Sequence, residues 1–175
     1  MPEPILHVAL LEPEIPNNTG VIGRTCVAVG AALHLIHPLG FDIDAKARRR
    51  AGLDYWERLD VREHADLEAY LAAANAASPA PTIWALSARS SRPIWEATIR
   101  PGDHLLLGKE TVGLAPDVLE RFRETAVCLP MSPGERSLNV ATVMTSAVYE
   151  GVRQMIGRGE ASLDPAGRLI RAEHA

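Results

Sequence analysis

Short apolar runs separated by polar turns dominate the pattern along the first third of the chain. Residues 5–11 are apolar and end at a Glu-Pro pair, which is typical of a buried strand. Prolines 13 and 16 then require an extended loop, after which apolar residues recur at helical spacing over residues 21–29. Residues 33–36 form a second apolar run. This order of strand, helix and strand indicates a parallel α/β unit.

The remaining pattern continues this alternation. Residues 65–74 predict a surface helix, and an apolar stripe over residues 140–155 predicts a long helix that ends at Gly157. Further strands are predicted at residues 59–62, 83–86, 103–107 and 127–129. We therefore expect an α/β fold with a mainly parallel sheet flanked by helices. One domain should span residues 1–158, followed by a polar, frayed tail at 159–175.

Composition fits this picture. The chain has 175 residues, of which 47% are hydrophobic, enough for one domain with its own core. No apolar run approaches the roughly 20 residues of a membrane helix, and the N-terminus lacks the pattern of a signal peptide. We expect a cytoplasmic protein without a membrane partner.

Cysteine and histidine usage gives no sign of a disulfide framework or a metal site. The two cysteines, Cys26 and Cys128, lie among apolar neighbours and are interpreted as free thiols. The six histidines are scattered along the sequence without ligand spacing. We therefore expect no bound metal.

Charge neither supports nor excludes a nucleic-acid partner. The formal net charge is −4, whereas nucleic-acid binders are usually basic. Positive charge is instead local, and a solvated helix face remains an alternative interpretation. The clusters are Lys46 with Arg48, Arg49 and Arg50, and Arg89 with Arg92.

Three loops that follow predicted strands are the candidate ligand site, because ligands of open α/β sheets bind beyond the carboxyl ends of strands. They span residues 17–24, 108–113 and 130–139. Each alone has a simpler interpretation: the glycines as tight turns, Asn18, Ser137 or Asn139 as helix caps, and Arg24 as a surface residue. Glycine signatures of dinucleotide and P-loop proteins and the nucleophile elbow are absent from the sequence. The residues alone thus indicate an α/β protein with a small-ligand site.

The same three loops resemble the SPOUT methyltransferases. The matching motifs are EPEIPNNTG continuing to Arg24, LGKETVGL at 107–114, and LPM at 129–131 followed by RSLNV at 136–140. The chain is most similar to the subfamily that methylates the 2′-hydroxyl at wobble position 34 of tRNA, with PLGF at 38–41 and RRAGLDYW at 49–56 as further matches. Substrates of that subfamily are cytidine or 5-carboxymethylaminomethyl-uridine of leucine tRNAs.

The resemblance implies a C-terminal trefoil knot, S-adenosyl-L-methionine as methyl donor, tRNA as substrate and a homodimer paired through its first and last helices. It implies a cofactor site at Leu86, Gly108, Leu129, Met131, Ser137 and Leu138. It also implies a catalytic set of Asn18, Arg24, Glu110, Ser137 and Asn139. Our candidates for RNA contact are the basic residues Arg48, Arg49, Arg50, Arg89 and Arg92.

Some positions depart from the subfamily: Val21 for a common Asn, Lys109 for a common Pro, and Ala141-Thr142 for Ser-Asn. These departures bear on the RNA target rather than on the reaction. Alternatives are methylation of another tRNA or rRNA nucleotide, a non-catalytic knotted RNA-binding factor, and a nucleotide-binding protein unrelated to RNA.

Overall fold

A computed structural model describes residues 3–42 and 55–171. Its eight strands are β1 His7–Leu11, β2 Ala32–Ile36, β3 Val61–His64, β4 Ile83–Leu86, β5 His104–Leu107, β6 Ala126–Val127, β7 Ala161–Leu163 and β8 Leu169–Arg171. Its α-helices are α1 Pro16–Val29, α2 Leu67–Asn75, α3 Pro116–Arg121 and α4 Val140–Gly157. None of these helices is both long and apolar enough to cross a bilayer.

Six strands form one parallel sheet in the order β3-β2-β1-β5-β4-β6. The predicted α/β class is therefore confirmed. β1 lies in the middle, with β2 on one side and β5 on the other, so all their carboxyl ends meet at one edge. The loops after β1, β5 and β6 leave from that edge, which is where parallel sheets place their ligand sites.

Helices cover both faces of the sheet, so its central strands are buried on both sides. On the first face, Leu10 and Leu105 belong to the same buried cluster as Ile22 of α1 and Met144 of α4. Helices α1 and α4 also touch each other, with the hydroxyls of Thr25 and Thr145 3.0 Å apart. The second face is covered by α2, whose Leu71 shares a smaller core with strands β1 and β5.

The sequence led us to expect a frayed segment after α4, but this segment forms a pair of strands. Strands β7 and β8 pair antiparallel through a turn in which the Asp164 carboxylate accepts hydrogen bonds from the amides of Ala166 and Arg168. Gly167 adopts the positive φ of 76° that this turn requires. Ala161 is buried in the main core. The apolar residues of a short hairpin were too few to give a strand pattern.

The expectation that the histidines are scattered is also wrong, because four of them lie together in the structure. His7, His34 and His104 come from three neighbouring strands, and a ring nitrogen of each lies within 4.8 Å of those of the other two. His64 hydrogen-bonds to His34. Separations of tens of residues concealed this cluster, since only the sheet register brings the four side chains to one face.

Both cysteines are free, as predicted. Burial raises the pKa of the Cys26 thiol to about 12, while Cys128 is only partly buried. We therefore expect a thiol reagent at pH 8 to label Cys128 in the folded protein well before Cys26. Labelling both at equal rates, with the protein shown to remain folded by circular dichroism, would contradict the buried position of Cys26.

Candidate active site

The carboxyl edge of the sheet brings the three motif loops together within one chain. The contacts come from residues that follow β1, residues that follow β5, and the loop that leads from β6 into α4. Each contact joins segments more than 90 residues apart in the sequence. The convergence expected from the strand order is therefore observed for these loops.

The carboxylate of Glu110 fastens the second loop to the first. One of its oxygens accepts from the backbone N–H of Glu14 at 2.7 Å, and the other accepts from Ile15 at 3.3 Å and from Asn18 Nδ2 at 3.2 Å. An ionised carboxylate makes stronger hydrogen bonds than a neutral acceptor does. Glu110 thus positions the start of α1 rather than acting as an exposed base.

Asn18 and Asn139 connect the first loop to the third. Asn139 donates from Nδ2 to Asn18 Oδ1 at 3.1 Å, and its own Oδ1 accepts from the amides of Ala141 and Thr142. Asn139 is therefore both the N-cap of α4 and part of the site. The cap interpretation of Asn18 is wrong, because α1 begins earlier, with Ile15 as its N-cap and Pro16 in its first turn.

A second set of contacts between the first and second loops was not predicted from the sequence. Lys109 Nζ lies 2.6 Å from a carboxylate oxygen of Glu12, and Thr111 donates from its hydroxyl to Glu14 at 2.7 Å. Glu12 also has a positive φ of 52°, a conformation that costs most residues energy and turns the chain out of β1. The two acids of the EPE motif, facing a Lys and a Thr in LGKET, were the signal available in the sequence.

The loop after β5 is compact, and it requires glycine at position 108. A Cβ on Gly108 would overlap the carbonyl of Gly113 and the amide nitrogen of Leu114. Arg89 closes the same loop by donating from Nη2 to the carbonyls of Val112 at 2.7 Å and Leu114 at 3.1 Å. Only a residue without a side chain permits this close approach of the backbone.

Part of the predicted cofactor set lies at the strand ends of this edge, and its role in cofactor binding stays a prediction. Leu86 is buried at the end of β4, beside Val127 of β6, and Gly108 follows directly after the neighbouring β5. Leu129 and Met131 are partly buried, whereas Ser137 and Leu138 are exposed. Leu86, Gly108 and Leu129 thus lie at or just after the carboxyl ends of neighbouring strands.

Arg24 lies on a different side of α1 from Asn18. The two are six positions apart, which rotates their side chains by about 120° and moves them about 9 Å along the axis. The guanidinium carbon of Arg24 lies 4.4 Å from the centre of the Tyr55 ring, and the Tyr55 hydroxyl donates to the carbonyl of Gly20. Arg24 shares an exposed stripe of α1 with Val21, which is 55% exposed.

The proposed RNA contacts divide into two groups. Arg48, Arg49 and Arg50 lie outside the described residues. Arg89 closes the glycine loop, and Arg92 donates to the carbonyls of Glu124 at 3.1 Å and Glu96 at 2.7 Å while lying over Trp84. Both arginines therefore make structural contacts, and their RNA role stays a prediction.

The three hydrogen bonds that Glu110 accepts are expected to stabilise both the fold and the donor site. Changing Glu110→Gln replaces an acceptor of three hydrogen bonds with an amide, so we expect the free energy of unfolding to fall by about 1–2 kcal/mol. Methyl-donor affinity should fall with it, because the second loop loses its anchor. Urea unfolding and calorimetric donor titration measure both effects. Glu120→Gln, a change at an exposed carboxylate of α3, is the matched control; equal behaviour of the two variants would contradict the assignment.

Comparison with known proteins identifies the family of this chain. A curated tRNA (cytidine(34)-2′-O)-methyltransferase of Burkholderia pseudomallei is 46% identical over 151 residues, which cover 86% of this chain and 96% of the relative. A solved structure described as giving insight into 2-OH methylation of C/U34 on tRNA is 44% identical, covers 87% of this chain and 97% of its own, and has a TM-score of 0.79.

The wider family is represented by the SpoU methyltransferase AviRb from Streptomyces viridochromogenes in complex with the cofactor AdoMet. It is 25% identical with a TM-score of 0.77, covering 89% of this chain and 60% of its own. The profile of the SpoU rRNA Methylase family matches residues 5–149. The resemblance drawn from the three loops is thereby confirmed, and the chain belongs to the SpoU rRNA methylase family.

Proposed function

We propose that this protein transfers a methyl group from S-adenosyl-L-methionine to the 2′-hydroxyl of the wobble nucleotide, position 34, of tRNA. The observation that carries the proposal is the triple junction of Glu110, Asn18 and Asn139, which fixes the three motif loops at one edge. Relatives that this chain matches over nearly their whole length are named for, or described in terms of, this reaction.

The edge fits an adenosyl ligand. Gly108 brings two stretches of backbone together without a side chain between them, and apolar residues lie at the neighbouring strand ends, Leu86 buried and Leu129 partly buried. Adenosyl groups are commonly held by apolar contact together with backbone hydrogen bonds. Backbone groups near Met131, Ser137 and Leu138 would complete the site.

The bound donor supplies an electrophilic methyl group, so the chain must mainly align the ribose oxygen and assist loss of its proton. Alignment alone supplies about 7–11 kcal/mol in favourable cases. A guanidinium group is a poor base, so Arg24 would bind the target phosphate and polarise the hydroxyl. Asn18, Glu110 and Asn139 act as positioning residues, and Ser137 would contact the donor.

A homodimer would complete each site. Arg24 lies on the exposed stripe of α1 that carries Val21, and α4 exposes Tyr149 at 52%. Pairing through α1 and α4 would bury these apolar side chains and direct Arg24 toward the partner's loops. Sedimentation should show a dimer that Val21→Glu weakens and that Ala73→Glu, at an exposed position of α2 away from α1 and α4, leaves unchanged.

We further infer a knot, a set of substrate tRNAs and a surface that contacts tRNA. The knot would place the loop after β6 through the compact loop that follows β5, on its way to the Asn139 cap. Leucine tRNAs are the proposed substrates, encountered in the cytoplasm. Arg48, Arg49, Arg50, Arg89 and Arg92 would contact phosphates, and the affinity for tRNA should then fall steeply with salt.

The proposal is tested in cells. Mass spectrometry of total tRNA from cells with and without the gene should show that 2′-O-methylation at position 34 disappears and returns with the wild-type protein. A change at another nucleotide would replace the wobble assignment with another RNA target. Unchanged methylation throughout, with the protein expressed, would contradict the proposal.

A further inference from the structure

We propose that His7, His34 and His104 form a binding site for one Zn²⁺ ion on the face of the sheet covered by α2. His7 and His104 are the first residues of β1 and β5, so this site lies toward the amino end of the sheet. The methyl-transfer edge is at the opposite end of these strands. The proposal is therefore independent of the catalytic assignment.

The three rings offer a preformed set of nitrogen ligands. A ring nitrogen from each lies within 4.8 Å of the others, and His7 Nδ1 is 2.8 Å from His34 Nε2. Nitrogens at two corners of a tetrahedral zinc site are about 3.3 Å apart, given Zn–N bonds of about 2.0–2.1 Å. Binding zinc would shorten the longer nitrogen–nitrogen distances and lengthen the 2.8 Å distance between His7 Nδ1 and His34 Nε2. These shifts amount to about an ångström. His34 and His104 are 4% and 3% exposed, which holds their rings in place.

Neighbouring groups orient two of the three rings through the nitrogen that would face away from the metal. His34 Nδ1 lies 2.8 Å from His64 Nε2, and His104 Nδ1 lies 2.7 Å from the Tyr70 hydroxyl. Each bond leaves Nε2 of His34 or His104 as the ligand atom. This is the arrangement in which metal-binding histidines usually occur, with the second ring nitrogen hydrogen-bonded to a fixed partner.

Metals bind neutral imidazoles. Burial is the main cause that lowers the pKa of His34 to about 2, of His104 to about 3 and of His7 to about 4. The Arg62 guanidinium nearby would oppose a cation, but it is bonded to both carboxylate oxygens of Asp60, at 3.2 and 2.7 Å. His7 is only partly buried, which gives an ion and a water ligand a route from solvent.

The test uses the full chain without a histidine tag, stripped with EDTA and dialysed against Zn²⁺. We expect one Zn²⁺ per chain, a rise in melting temperature, and the visible spectrum of tetrahedral nitrogen coordination with Co²⁺. His7→Asn should weaken binding by at least about tenfold, and Tyr70→Phe by about tenfold or more, since it removes an orienting group. His37→Asn, which changes an exposed histidine paired with Glu63, should bind like the wild type.

Several outcomes would overturn the site. They are the absence of stoichiometric zinc on the wild-type protein, unchanged binding by His7→Asn, and equal loss in His37→Asn. In the first case the histidines would be only a hydrogen-bonded network that fastens α2 to the sheet. If His7→Asn did not fold, the wild-type Co²⁺ spectrum would decide, since octahedral or absent bands would also reject the site. Methyl transfer should be the same with and without zinc.

Discussion

Gly108→Ala is expected to weaken binding of S-adenosyl-L-methionine on the order of 100-fold. The added Cβ would overlap backbone atoms of Gly113 and Leu114, which cannot rotate aside as a flexible side chain does. Overpacking costs about 1–3 kcal/mol, and a rigid backbone neighbour argues for the upper end of this range. Displacement of the loop would also move Glu110 away from Asn18.

Calorimetric titration with the donor measures this loss, and thermal unfolding reports whether the fold survives. Gly157→Ala is the matched control, because it adds the same methyl group at a position where the new Cβ would meet no packed neighbour within 4 Å. Wild-type donor affinity in Gly108→Ala would contradict the compact loop as the cofactor site. A loss of equal size in Gly157→Ala would contradict the specificity of the effect.

Arg24→Ala should lower kcat for methyl transfer by about 10²–10³-fold and leave donor affinity nearly unchanged. Removing one preorganised donor to a reacting group typically has an effect of this size. Arg24→Lys keeps the charge but loses the planar fork, so it should restore only part of the rate. Single-turnover transfer from labelled donor measures the rate apart from product release.

Arg121→Ala, which removes an exposed arginine paired with Glu68 on α2, is the control. A folded Arg24→Ala protein that binds donor and methylates at the normal rate would refute the role of Arg24. Mixing Arg24→Ala with a donor-loop variant such as Gly108→Ala adds a further test. If each site uses Arg24 from the partner subunit, mixed dimers should regain activity that neither variant shows alone.

Strand positions were predictable where burial marked them. β4 was predicted at its observed bounds because all four of its residues are buried. β3 was placed two residues early, since Leu59 is buried within a turn while the strand itself, at the sheet edge, exposes Arg62 and Glu63. An edge strand lacks the hydrophobic signature on which the prediction depended.

The site was predictable as a set of loops but not as a set of contacts. Strand order and motif resemblance located Asn18, Glu110 and Asn139 at one edge. The direction of each side chain depends on packing between distant segments, so the Lys109 and Thr111 ties were missed. The position of Arg24 beside Tyr55 likewise depends on a residue 31 positions away.

The histidine cluster was also missed, because sequence spacing does not show which strands are neighbours in the sheet. Sequence spacing indicated isolated histidines, whereas sheet register places four of them on one face. His7, His34 and His104 each belong to an otherwise apolar strand, where a polar ring must find a partner once buried. That local signal was present in the sequence, but it did not identify which partner each ring would meet.

We propose that the three loops present a methyl group to a single ribose oxygen, the 2′-oxygen of nucleotide 34. The most direct measurement is transfer of labelled methyl from S-adenosyl-L-methionine to a leucine tRNA, compared with the same tRNA carrying 2′-deoxyribose only at position 34. We predict stoichiometric transfer to the first and none to the second. Equal labelling of both tRNAs would contradict the account.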